Sequence, residues 1–154
     1  NLLALQQRQM LKSMERECTW DEYQMLVTTN LVGSNASFTN VCLTPSPAGN
    51  VPMLYPNSVI TTTSIPAATH VFTGCGIAMN MNGQAPVSIG DMPGLGMGVV
   101  SGTIAMAQRY IMGCVTVLLS GTPFVNWTKM TSHNNNNAIG NNVAPSPGRF
   151  LILQ

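Results

Sequence analysis

Apolar and polar positions change their period once along the chain, near residue 28. In LLALQQRQMLKSMERE, residues 2–17, Leu3, Met10, Leu11, Met14 and then Cys18 follow one another at separations of seven, one, three and four. Those separations line one face of a helix, with Gln and Arg on the other. TWDE comes next, and its Thr19 and Glu22 have capping-box spacing, so a second short helix is predicted to run to about Val27. TTNLVGSNASFTN, a Ser/Thr/Asn/Gly cluster, reads as a connecting loop. Beyond it short β-branched runs alternate with Gly and Pro: SVITTTSI, THVFTG, APVSIG, GVVSGTI, CVTVLLSG, FVNWTKM and RFLILQ. Such runs predict an all-β domain of hairpins rather than a parallel sheet covered by helices. The chain divides accordingly into a helical segment 1–27, a linker 28–39 and a β-domain 40–154.

Two of the β-stretches look like copies of one unit. CVTVLLSGTPFVNWTKMTSHN and THVFTGCGIAMNMNGQAPVSIGD each run strand, Gly-containing turn, strand, which points to internal pseudo-symmetry. Ahead of both lies TPSPAGNVPMLYPN, residues 44–57, with prolines at 45, 47, 52 and 56. Proline fixes φ and removes a donor, so this stretch is predicted to be a stiff, extended ribbon that avoids wrong pairing.

Composition narrows the function classes. A chain of 154 residues suits one compact domain with an appendage. Only 7% of it is charged, against roughly 25% in ordinary soluble domains. Arg8, Lys12, Glu15, Arg16, Glu17, Asp21 and Glu22 crowd the start, and Asp91, Arg109, Lys129 and Arg149 are the charges beyond it. A formal net charge of +1 supplies no basic cluster for nucleic acid or an anionic membrane. The longest apolar stretch, GVVSGTIAMAQRYIMGCVTVLLSG, is broken by Gln108, Arg109 and glycines, so it reads as two strands and not as a membrane span.

Cys18, Cys42, Cys75 and Cys114 form no Cys-x-x-Cys pair and are expected to be reduced, buried thiols. Zinc on cysteine with His70 or His133 is the sharper alternative, although neither histidine has a standard spacing to a second ligand. A cysteine enzyme would pair Cys75 or Cys114 with one of those histidines. Both cysteines lie in apolar runs, FTGCGIAM and IMGCVTVLL, where burial raises a thiol pKa, and Asp91 is the sole acid after Glu22. No enzymatic activity is therefore expected; a cysteine-dependent effector or the front end of a toxin is the alternative.

VCLTPSPAGNVPMLYPN carries a family likeness. Val41, Cys42, Thr44, Pro45, Pro47, Val51, Pro52, Tyr55, Pro56 and Asn57 match the opening motif of the Tox-PAAR-like branch of the PAAR-like proteins of type VI secretion systems, which the chain resembles. Met53 and Leu54 stand where that family usually has proline. GDMPGLGMGVVSGTI, VTVLLSGTP and NNNAIGNNVAPSPGRFLIL resemble three later segments of the family, in order, over roughly residues 40–154.

The resemblance implies a small, mainly β, pseudo-threefold cone with an N-terminal helical segment added. It implies a structural spike-tip protein that caps a trimeric spike of the valine-glycine-repeat (VgrG) type, one copy per trimer, and carries or recruits an effector or adaptor chaperone. Spike binding is expected at Pro45, Pro47, Pro52, Tyr55, Pro56 and Asn57, and attachment of another partner at the helix stripe of Leu3, Met10, Leu11 and Met14. Neither nucleic acid nor stable membrane insertion is expected. The implied location is the bacterial cytoplasm before firing, then outside or inside a target cell. RFLILQ is expected to be a closing strand, with any effector on a separate chain. PAAR tips of the zinc type use three histidines and one cysteine; here only His133 sits at a matching place. No cofactor or required metal is expected, and the Asn-rich loop SHNNNNAIGNN is expected to hold the tip by packing and amide hydrogen bonds, with His133 solvated or hydrogen-bonded.

Overall fold

The structure, a computed structural model, describes residues 27–74 and 76–146. Leu3, Met10, Leu11, Met14, Cys18, Cys75 and the RFLILQ run lie outside the described residues. What is described is mainly β, as expected. Strands β1 (Ser34–Ser46) and β2 (Gly49–Ile60) form one long antiparallel hairpin, paired from Ser34 opposite Ile60 to Ser46 opposite Gly49 with a shift of register between Ser37 and Asn40. β3 (Phe72–Thr73) and β4 (Gly76–Ile77) make a short hairpin, and β5 (Gln84–Ala85) and β6 (Gln108–Tyr110) pair across a long connection. β7 (Cys114–Leu119) and β8 (Thr122–Phe124) form another hairpin, followed by β9 (Met130–His133) and β10 (Ala138–Ala144). Six strands join in the order β2-β1-β10-β9-β6-β5, while β3-β4 and β7-β8 stand as two-stranded sheets. Among the described residues no helix is long and apolar enough to cross a membrane.

Both hairpins anticipated from the repeated unit are present, and for the second the turn chemistry explains it. Ser120 (φ 53°) and Gly121 (φ 79°) close β7–β8 with two left-handed residues, the geometry that matches strand twist. Other expectations are corrected. The linker assigned to 28–39 is already strand from Ser34, because its Asn and Ser side chains find buried partners instead of solvent. Asn35 donates to Gln108 Oε1 at 3.2 Å and to Tyr110 Oη at 3.3 Å, and Ser37 donates to the Ile139 carbonyl at 2.8 Å. GVVSGTI, predicted as a strand, is a series of turns with one bridge, Gly98 to Cys42. FVNWTKM is interrupted between the end of β8 and the start of β9.

The interior is unusually polar. Among the described residues, 21 polar or charged side chains are buried against 13 apolar ones, so hydrogen bonding must organise much of the inside. Apolar packing concentrates in two small clusters. Val27, Ala68, Ala78, Leu119 and Phe124 form one, under the two short hairpins; Met79, Tyr110 and Val125 form the other.

Candidate functional site

Residues 44–57 are not one extended ribbon: the stretch folds back on itself at Pro47 and Ala48 and supplies the outer half of the β1–β2 hairpin. The prolines obey the ladder. Ser58 exchanges two hydrogen bonds with Ile89, N to O at 2.7 Å and O to N at 2.8 Å, across the outer edge of β2. Every second residue before it, Pro56, Leu54, Pro52 and Asn50, therefore also turns its backbone groups outward. Two of those outward positions are prolines without an N–H. Pro45 lies opposite Asn50 in the same non-bonded register. Such placement leaves the hairpin intact and blunts its edge against further strands.

Pro45, Pro47, Pro52 and Pro56 are exposed, and Tyr55 is half-buried with its hydroxyl 2.7 Å from Thr44 Oγ1. Asn57 departs from the partner-facing set. Its side chain is 1% exposed and donates to Ser88 Oγ at 3.0 Å, while Ser88 donates in turn to the Met106 carbonyl at 2.9 Å. It ties β2 to the chain that follows β5, an interior task that the sequence motif did not distinguish from a surface one.

The GDMPGLGMGVVSG segment is fastened against β1 by the buried carboxylate of Asp91. That carboxylate accepts from Asn40 Nδ2 at 2.9 Å and from the Ala105 N–H at 3.1 Å. Asn137 bridges the same parts: its amide donates to Asn40 Oδ1 and to the Val41 carbonyl (2.9 Å), and its oxygen accepts from the N–H groups of Val100 (2.8 Å) and Ser101 (3.1 Å). Asn134 donates to the Thr103 carbonyl at 2.8 Å and accepts from the Met106 N–H at 3.3 Å. The segment is also added to the free edge of β1, with Leu43 N–H donating to Met97 O (2.8 Å), Gly96 N–H to Leu43 O (2.7 Å) and Val99 N–H to Val41 O (3.1 Å). Glycine is required where the segment passes over the hairpin. A Cβ on Gly90 (φ +138°) would collide with the Pro56 carbonyl, and one on Gly94 with Cys42 Cβ. Asn134 and Asn137 belong to the Asn-rich run from which amide bonding was expected, whereas Asn40, their partner on β1, was missed.

His133, expected to be solvated or hydrogen-bonded, is hydrogen-bonded and buried at the end of β9. Its Nε2 lies 3.0 Å from Thr131 Oγ1, and Nδ1 has no hydrogen-bond partner among the described residues. Burial pushes its pKa down to about 4, with nearby Asp91 opposing the shift. Burial, then the Asp91 charge, raises the Cys42 thiol. Cys114 reverses the expectation: it is buried, yet the hydrogen bond with Thr116 lowers its pKa against the effect of burial. The proposed imidazole partners are engaged elsewhere, His133 with Thr131 and His70 with Ser120 Oγ at 3.3 Å. Among the described residues no three His, Cys, Asp or Glu side chains are grouped so as to hold a metal ion.

Over residues 33–140 the chain matches the family model of the toxin PAAR-like domain, Tox-PAAR-like. Comparison with curated proteins and with solved structures returned no match. The matched span starts one residue before β1, contains the Pro-rich hairpin, Asp91 and the segment it fastens, and runs to Gly140 within β10. With more than two thirds of its residues under that model, the chain belongs to the Tox-PAAR-like family.

Proposed function

We propose that this domain is a structural, non-enzymatic tip that caps the blunt end of a trimeric VgrG-type spike in a type VI secretion system, one copy per trimer, and carries or recruits an effector or adaptor chaperone. Membership of the family supports a spike- or toxin-associated role. The observation that carries the capping reading is the exposed, charge-free arm of the hairpin. From Gly49 to Leu54 every residue of β2 is exposed, including Val51 (44%), Met53 (49%) and Leu54 (64%). Apolar surface of this kind on so short a stretch is the mark of an interaction site.

In this reading the chain assembles as a cone with pseudo-threefold character, resides in the bacterial cytoplasm before firing and leaves with the apparatus. Its interior amide network, rather than a metal, holds the tip. Mixing the purified chain with a purified trimeric spike tests the reading: a complex of one chain per three spike subunits is expected by native mass spectrometry. Replacing Pro45 and Pro56 with Asp should weaken that complex at least about tenfold, the scale of losing one well-packed contact. Absence of a complex, or three chains per trimer, would sink the proposal.

A further inference from the structure

We infer that the inner face of the six-stranded sheet binds ordered water around the Gln108 amide, bridging it to Asn35 and Asn142 on one side and to His133 on the other. The sheet curls far enough to enclose that face: Asn35 of β1 donates to Gln108 Oε1 and Tyr110 Oη of β6, although β10 and β9 stand between those strands in the sheet. Register puts the other members beside them. Asn35 is opposite Asn142, and Tyr110 is opposite Thr131 with Arg109 opposite Ser132, so the next step of that ladder sets Gln108 opposite His133. Residues paired across an antiparallel ladder share a face. Asn35, Gln108, His133 and Asn142 are each at most 2% exposed, which puts them out of reach of bulk solvent.

Each of the four side chains keeps one buried polar atom that no protein group satisfies among the described residues: Asn35 Oδ1, Gln108 Nε2, His133 Nδ1 and Asn142 Oδ1. An unpaired buried polar atom is costly, and four of them on one face call for a shared partner. Their other atoms are already engaged: Asn142 Nδ2 donates to Thr28 Oγ1, and His133 Nε2 lies 3.0 Å from Thr131 Oγ1. Turning the Asn35 and Gln108 amides over together exchanges donor for acceptor but still leaves one of each unpaired. The chemistry of the set selects the ligand. Two amide oxygens require a donor and the Gln108 nitrogen requires an acceptor, so a cation is repelled by the N–H groups and an anion by the oxygens. Water fills both roles, and it donates to or accepts from His133 Nδ1 whichever tautomer the Thr131 contact fixes. Gln108 Nε2 carries two hydrogens, enough for one water toward Asn35 Oδ1 and a second toward His133 Nδ1.

A crystal structure of the full chain, refined with its ordered solvent, tests the inference. One water is expected within hydrogen-bond distance of both Gln108 Nε2 and Asn35 Oδ1, and another within that distance of Gln108 Nε2 and His133 Nδ1. Amides that rotate to bond one another directly, or a metal ion or halide in that place, would overturn it. In solution, oxygen-17 relaxation dispersion of the unmodified chain should report long-lived internal water, and Gln108→Met, which keeps the length of the side chain and removes its amide, should lose most of that signal. Undiminished dispersion from a folded Gln108→Met chain would put the water elsewhere and sink the site. The crystal experiment needs no substitution, so it decides the question even if that variant does not fold.

Discussion

The hairpin β1–β2 with its fastened 91–106 segment and the pair of short hairpins β3–β4 and β7–β8 are built on opposite plans. In the first region the inside is polar: Asp91, Asn40, Asn134 and Asn137 bond to one another and to backbone groups, while Leu54, Leu95, Val99 and Val100 are exposed. In the second the inside is apolar, with Val27, Ala68, Ala78, Leu119 and Phe124 packed together. Both regions also expose apolar side chains, Leu54 and Val99 in the first and Phe72, Val115 and Leu118 in the second, so the difference lies in what holds the inside: hydrogen-bonded amides and a carboxylate in one, packed apolar side chains in the other.

That contrast breaks first at the apolar cluster. Phe124→Ala removes its largest side chain and should cost about 3–5 kcal/mol in a urea unfolding curve, the range for emptied aromatic core sites. A cost below about 1 kcal/mol would mean that the cluster is not the core of that region.

The polar region should fail for a different reason. Asp91→Ala leaves Asn40 Nδ2 and the Ala105 N–H without their acceptor, an expected loss of about 3 kcal/mol from stranded buried donors. Hydrogen exchange should speed up at Leu43 and at Gly96 to Ala105 before it changes at β7 and β8. Uniform acceleration across the domain would show that the two regions are not separately held.

Acid sharpens the comparison further. The folded-state pKa of His133, about 4, lies below the ordinary 6.5, so between those values the unfolded chain binds a proton that the folded chain does not. Stability is therefore full above pH 6.5 and falls as pH drops toward 4, by about 2 kcal/mol between pH 7 and pH 5. His133→Gln should flatten this part of the pH profile of urea midpoints. An unchanged slope would assign the acid sensitivity to another group.

The smallest effect is expected on the exposed face. Leu54→Ser should alter stability by no more than about 0.5 kcal/mol, since Leu54 is 64% exposed. A clear loss of stability there would show that the residue is part of the folding core and not reserved for a partner.

Much of this was legible in residue patterns. Short β-branched runs between Gly and Pro announced a mainly β chain, Ser120-Gly121 announced a hairpin, and the four separated motifs announced the family. Local rules suffice there, because turn geometry and strand preference act over a few residues. Composition also foretold that uncharged polar groups would matter, yet not where. Ser34 to Thr39 was mistaken for linker because Asn, Ser and Thr are usual in loops, and their buried partners, Gln108, Tyr110 and Ile139, lie about 70 to 100 positions away.

Sequence alone determined the hairpin chemistry, the placing of proline at alternate edge positions and the shortage of charge. Tertiary structure decided which side of each strand faces in. Asn57 and Tyr55 belong to the same motif, but only the former reaches Ser88 and disappears from the surface. His133 became a buried neutral imidazole through its place at the end of β9, and Asp91 a buried anchor through donors from Asn40 and Ala105. Burial of a polar group depends on partners brought close by the whole fold, and a polar side chain is stable inside only after those partners have arrived.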